Sequence, residues 1–154
     1  MTKPEDGFEI GKAILLKQAK NGGVLLVSTG SMTSRAVAAF EQLAGEGIDC
    51  SVLHVHTIKP LDIKAIVENA KKAKLIVTLE ESSLIGGLGS AVLEVLSDNM
   101  FLKELPQIYR MGIPDVFIHD YGTQEYLLDK IGLETPHIVK KVRELVKKGR
   151  EATK

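Results

Sequence analysis

The chain has 154 residues, 44% hydrophobic and 26% charged, which describes one globular domain and excludes a disordered or fibrous chain. Twenty basic and twenty acidic side chains cancel, and a zero net charge argues against a general nucleic-acid binder. The single cysteine, Cys50, excludes an internal disulfide framework and a multi-cysteine zinc site. No signal core opens the chain and no apolar run reaches membrane-spanning length, so a soluble, cytoplasmic protein without a membrane partner is expected.

In chain order, the first strand-like run is Ala13–Lys17 and the second is Gly23–Thr29. A helix follows in which Met32, Ala36, Ala39, Phe40 and Leu43 recur at three and four residues, ended by Gly45 and Gly47. Ser31 stands where an N-cap belongs. The third strand is Asp49–His56. Ile63, Ile66, Val67 and Ala70 form the next apolar stripe behind Asp62, a good N-cap. A fourth strand, Lys74–Glu80, leads into a helix striped by Leu88, Ala91, Val92, Val95 and Leu96. The fifth strand is Gln107–Met111. Thr123–Ile131 is a short helix, and the last begins at Thr135-Pro136 and runs to Gly149. Strands alternating with helices predict a parallel sheet covered on both faces. Only a few residues separate the first two strands, too few for a parallel crossover, so the first strand is expected to run antiparallel.

In such a sheet, ligands and partners meet the loops at the carboxyl ends of the parallel strands. The distinctive one is Glu80-Glu81-Ser82-Ser83-Leu84-Ile85-Gly86-Gly87-Leu88-Gly89-Ser90. It has neither the dinucleotide fingerprint nor the P-loop spacing. Two readings stay open: a tight turn packed against a partner, or an anion site on a helix N-terminus. Glu80 and Glu81 are neighbours on a strand and point to opposite sides, so they form no general acid–base pair. One is expected to be buried on the N–H groups of the glycine turn, the other to face solvent or a neighbouring chain. His54 and His56 share one side of the third strand and read as structural histidines, since no third metal ligand is evident. His119 beside Asp120 invites a catalytic assignment that sequence adjacency alone does not support. Gly30-Ser31-Met32-Thr33-Ser34 lacks the second glycine of a nucleophile elbow. Residues 140–154 hold seven basic and two acidic side chains, read as a solvated helix end.

Several segments together resemble the C-terminal domain of transketolase-like thiamine diphosphate enzymes. They are Phe8-Glu9-Ile10-Gly11-Lys12-Ala13, Val27-Ser28-Thr29-Gly30-Ser31-Met32, Thr57-Ile58-Lys59-Pro60-Leu61-Asp62, Val77-Thr78-Leu79-Glu80-Glu81 with Gly86-Gly87-Leu88-Gly89-Ser90, and Gly112-Ile113-Pro114-Asp115. The resemblance implies a three-layer α/β/α fold with a five-stranded, mostly parallel sheet whose first strand is antiparallel. It implies a lead-in over 1–7, a domain over 8–149 and a basic tail over 150–154. It also implies that thiamine diphosphate and Mg belong to the complete enzyme, not to this chain alone. The cofactor-holding parts and the activating glutamate would sit on a partner chain or on preceding domains. Candidate interface or anion-loop residues are Lys59, Pro60, Asp62, Glu80, Glu81, Leu84, Ile85, Gly86, Gly87, Leu88, Gly89 and Ser90, with no catalytic, cofactor or metal residue assigned. The expected activity is ketol transfer between sugar phosphates, as in transketolases. Alternatives are a 1-deoxyxylulose 5-phosphate synthase domain, a docking domain like that of 2-oxo acid dehydrogenase beta subunits, or a stand-alone anion-binding module. Exposed Ile58, Leu61, Leu84, Ile85 and Leu88 are expected to drive a homodimer.

Overall fold

A computed structural model describes residues 7–152, so most of the expected lead-in and the tail residues Thr153 and Lys154 lie outside the described residues. Five strands, β1 (Ile14–Lys17), β2 (Val24–Ser28), β3 (Cys50–His54), β4 (Leu75–Ser83) and β5 (Gln107–Ile113), form one sheet in the order β1-β3-β2-β4-β5. Helices α1 (Met32–Gly45), α2 (Ile63–Ala70), α3 (Leu88–Asn99), α4 (Gln124–Lys130) and α5 (Thr135–Ala152) cover it. β1 runs antiparallel to β3, and all other pairings are parallel. The expected architecture is therefore the observed one.

Side-chain alternation builds two cores. Val24 and Leu26 of β2, Val52 of β3 and Val77 and Leu79 of β4 meet Met32, Ala36, Ala39 and Leu43 of α1 and Ile138, Val142 and Leu145 of α5. Leu25, Val27, Leu53 and Ile76 point the other way, onto Ile66 of α2 and Val92 and Leu96 of α3. Each fully buried leucine or isoleucine of this kind contributes about 1.5–3 kcal/mol relative to exposure. β2 is buried at every position because it sits mid-sheet with helices on both faces.

Local chemistry sets most helix starts. Asp62 accepts the Ala65 N–H at 3.1 Å and caps α2, while its other oxygen takes the Ala13 N–H at 3.0 Å. Thr123 caps α4 through the Tyr126 N–H. Ser31 does not cap α1: its hydroxyl donates instead to Glu81, since that carboxylate lies beside it and is the stronger acceptor. β4 runs three residues beyond the expected end because a register shift after Leu79 lets Ser83 pair with Ile113. α5 continues through Gly149 to Ala152; one glycine costs a helix about 1 kcal/mol, too little to stop it.

Candidate functional site

The carboxyl ends of β2, β4 and β5 bring Glu80 and Glu81 to the centre of one edge. Glu80 points to the α3 side and is fully buried. Its Oε2 accepts the Leu88 N–H at 2.7 Å and the Ser82 hydroxyl at 2.6 Å, and its Oε1 accepts the Gly89 N–H at 2.9 Å. A carboxylate carried on a strand thus caps a helix whose own N-cap residue, Gly87, has no side chain. Glu81 points the other way and accepts from the hydroxyl of Ser31, the residue before α1, and from Gln124 Nε2 of α4 at 2.6 and 2.8 Å. The Gln124 and Ser31 bonds hold its carboxyl below the usual range. The strand period that separates the two acids therefore gives them separate tasks: one ties β4 to α3, the other ties β4 to α1 and α4.

The glycine turn folds tightly around Glu80. A Cβ on Gly87 would lie 1.8 Å from Glu80 Oε2, and one on Gly89 would lie 2.7 Å from both Thr78 Oγ1 and Arg110 Cδ. Arg110 clamps the turn from β5, its Nη1 donating to the Leu84 carbonyl at 2.7 Å and to Ser90 Oγ at 3.2 Å. Ser90 Oγ in turn accepts the Gly86 N–H at 3.1 Å. The expectation of one buried and one exposed glutamate holds. The packing bears on two further readings. Leu88 and Gly89 are buried where α3 starts and sinks into the core, as the stripe through Leu88 predicts and against the expectation that Leu88 is exposed on the rim. The turn offers no open anion site, because Glu80 already occupies the α3 N-terminus and repels a second negative charge. Glu81 beside Ser31 places a carboxylate at the start of α1 too.

Around this hydrogen-bonded centre the rim displays several apolar side chains. Ile85 is 70% exposed and Ile58 40%, whereas Leu84 and Leu61 are half-buried. Lys59 and Pro60 are exposed and joined by a cis peptide bond, while Asp62 is drawn in by its two N–H donors. The loop after β5 adds Val116, Phe117 and Tyr121, the last two almost wholly exposed. Sequence reasoning placed that loop on the edge but did not single out these side chains, nor Arg110. A charged residue inside the apolar run Ile108-Tyr109-Arg110-Met111 was the available signal for the latter. His119 and Asp120 sit exposed in the same loop with no bond between them.

His54 and His56 lie side by side, ring centroids 5.7 Å apart. Thr33 Oγ1 bridges His54 Nδ1 at 2.7 Å and the Ser28 hydroxyl at 3.1 Å, and His56 Nδ1 meets Thr57 Oγ1 at 2.8 Å. Burial, then the neighbouring His56, push the His54 pKa below its ordinary value. A depressed imidazole pKa means that the unfolded chain binds the extra proton first. Stability should therefore be constant above about pH 7 and fall as pH drops through the window beginning near 6.5. Urea midpoints between pH 8 and 5 check this, and His54→Gln should flatten the fall over that window. Cys50 is no nucleophile: burial pushes its thiol up to about 12.

The family model of the transketolase C-terminal domain matches residues 11–138. This chain belongs to the transketolase C-terminal domain family. As a transketolase C-terminal domain it is 41% identical over 143 residues to the 6-deoxy-6-sulfo-D-fructose transketolase subunit SqwH of Clostridium sp. (strain MSTE9), covering 93% of this chain and 42% of that protein. It is 42% identical over 120 residues to a 1-deoxy-D-xylulose-5-phosphate synthase of Aromatoleum aromaticum (strain DSM 19018 / LMG 30748 / EbN1), covering 78% of this chain and 18% of that protein. A split-gene transketolase solved as an inactive beta4 tetramer superposes with a TM-score of 0.82 at 38% identity, over 95% of this chain and 46% of that one. The chain thus spans less than half the length of these relatives. Among the described residues of this domain, no cluster of three or more His, Cys, Asp or Glu could hold a metal ion, and no helix is long and apolar enough to cross a membrane. The glycine turn does not fit the diphosphate of a thiamine cofactor, since Glu80 takes its N–H groups.

Proposed function

We propose that this chain is the C-terminal section of a transketolase-type thiamine diphosphate enzyme that moves a ketol unit between sugar phosphates, and that it serves assembly rather than supplying catalytic groups. The observation that carries the reading is the internal use of both edge carboxylates. Glu80 and Glu81 spend their acceptor capacity on α3, Ser31 and Gln124, which leaves a stiff edge rimmed by exposed Ile58, Ile85, Phe117 and Tyr121. A stiff, apolar-rimmed edge suits packing against other domains better than chemistry of its own. The match to less than half of SqwH and of the split-gene transketolase supports a partner that carries the cofactor-holding parts. Calorimetric titration of thiamine diphosphate with Mg²⁺ into the isolated chain should show no binding. Mixing with a chain that carries those parts should restore transfer between sugar phosphates; tight binding by the isolated chain would overturn the assembly role.

A second reading rests on the synthase relatives, which match this chain at comparable identity. The reconstituted enzyme distinguishes the two: condensation of pyruvate with glyceraldehyde 3-phosphate, without transfer between sugar phosphates, would favour the synthase. In either case the uncovered rim should pair with itself. The chain is expected to form a dimer at about 100 µM, a concentration that reports contacts near −5 kcal/mol. Ile85→Ser, at an exposed position, should shift it toward monomer in sedimentation equilibrium without unfolding it. A monomeric unmodified chain would remove this expectation.

A further inference from the structure

Beside the edge strand β5, Leu84 of the glycine turn, β5 and the first turns of α5 enclose a groove of about 330 Å³, with Glu80 behind Gly112. That volume is at the lower end of small-molecule sites. Leu84, Met111, Ile131 and Leu133 form its apolar wall, and Arg110, His137, Lys140, Lys141 and Glu144 bring charge to it. Most of that charge is matched locally. Lys141 pairs with Glu144 at 3.1 Å while lying over the Tyr109 ring, and His137 Nε2 meets Asp129 at 2.8 Å. Lys140 is exposed and interacts electrostatically with Glu144, so Arg110 is the exception. Arg110 is half-buried, yet among the described residues no carboxylate pairs with it; only Nη1 is engaged, by a neutral carbonyl and a hydroxyl. A half-buried guanidinium normally finds an anion, because removal from water without one is costly.

We propose that this groove is a binding site for a small molecule with a phosphate or carboxylate head, held by the free N–H groups of Arg110 and by Lys140, its carbon skeleton against Leu84, Met111 and Leu133. The fork of Arg110 suits two oxygens of one head group, and Lys140 adds a point charge at the rim. The unpaired part of the Arg110 guanidinium suits a head of one negative charge. The site lies on the flank of the domain and shares no acceptor or donor with Glu81. Leu84 and Arg110 link it to the edge, Arg110 also holding the Leu84 carbonyl and Ser90.

The test is a nitrogen–proton correlation titration of the chain with inorganic phosphate and, separately, with acetate, each to about 20 mM at fixed ionic strength, a range that detects binding weaker than about −4 kcal/mol. Saturable shifts should appear at the amides of Gly112, Gly132 and Lys141. Whichever probe saturates at lower concentration identifies the head group. Arg110→Gln should weaken binding about tenfold, about 1.4 kcal/mol. Because that variant also loosens the glycine turn, Lys140→Gln, at an exposed position, is the independent check and should weaken binding about threefold. Lys148→Gln, on the same helix outside the groove, should leave it unchanged. Linear, unsaturated shifts spread along α5, an equal effect of Lys148→Gln, or no shift at all would overturn the site.

Discussion

Replacing Glu80 by alanine should lower stability by about 3–5 kcal/mol, one of the two largest effects expected of any edge substitution. Three donors lose their acceptor at once: the Leu88 and Gly89 N–H groups and the Ser82 hydroxyl. Each unsatisfied buried donor costs about 1–3 kcal/mol. The total falls below the sum because Ser82 is exposed and can turn to water. The start of α3 also loses the negative charge that its dipole favours. Glu80→Gln separates the contributions. It keeps the volume and one acceptor oxygen but aims an NH₂ group at a backbone N–H, so about half the loss should remain. In urea, with a slope of about 2 kcal/mol per molar, Glu80→Ala should move the midpoint by about 2 M. A shift below about 0.5 M would show that the carboxylate is not what holds α3 to β4.

Gly87→Ala should cost about 3 kcal/mol or more although it adds a single methyl group. Its Cβ would sit 1.8 Å from Glu80 Oε2 and 2.6 Å from the Ser83 carbonyl, and neither can retreat: the first is fixed by its donors, the second is backbone. Overpacking of this kind typically costs about 1–3 kcal/mol, and here it also dislodges the Glu80 bonds. The neighbouring Gly86 is the internal control. It has φ +76° but nothing within 4 Å of a Cβ, so Gly86→Ala should cost only the left-handed backbone penalty of about 1–2 kcal/mol. Equal losses at the two positions would mean that backbone conformation, not the fit around Glu80, governs the turn. Combined with Glu80→Ala, the Gly87→Ala penalty should shrink, because the atom it strikes is gone.

The two experiments also bear on function. If the assembly reading is right, loosening the turn acts on the reconstituted enzyme through the position of the rim, since the Leu84 carbonyl and Ser90 are held by Arg110 from β5. Ile85→Ser, which leaves the Glu80 cage intact, then perturbs association with stability unchanged. Stability and association are thus separable on one loop.

Local rules settled a good part of this. The short link after Lys17 forces β1 to run antiparallel, because so few residues cannot cross a sheet. Asp62 and Thr123 begin their helices for reasons contained in three or four consecutive residues. The two-residue period of a strand separates Glu80 from Glu81 whatever the fold around them. What the sequence could not decide is which of the two acids turns inward, because that depends on which face of β4 the start of α3 lands on. It could not place β3 beside β1 and β2, nor bring Arg110 to Leu84 and Ser90 across 26 and 20 residues. It assigned Ser31 to its own helix, where the near presence of Glu81, 50 residues on, gives the hydroxyl a stronger acceptor. Leu88 carried two readings, a member of the α3 apolar stripe and part of the exposed rim, and only the packing of α3 onto the sheet decides for the stripe. Apolar periodicity records that a side chain is buried but carries no label for the partner that buries it, and hydrogen bonds between distant segments exist only once the sheet has fixed their spacing.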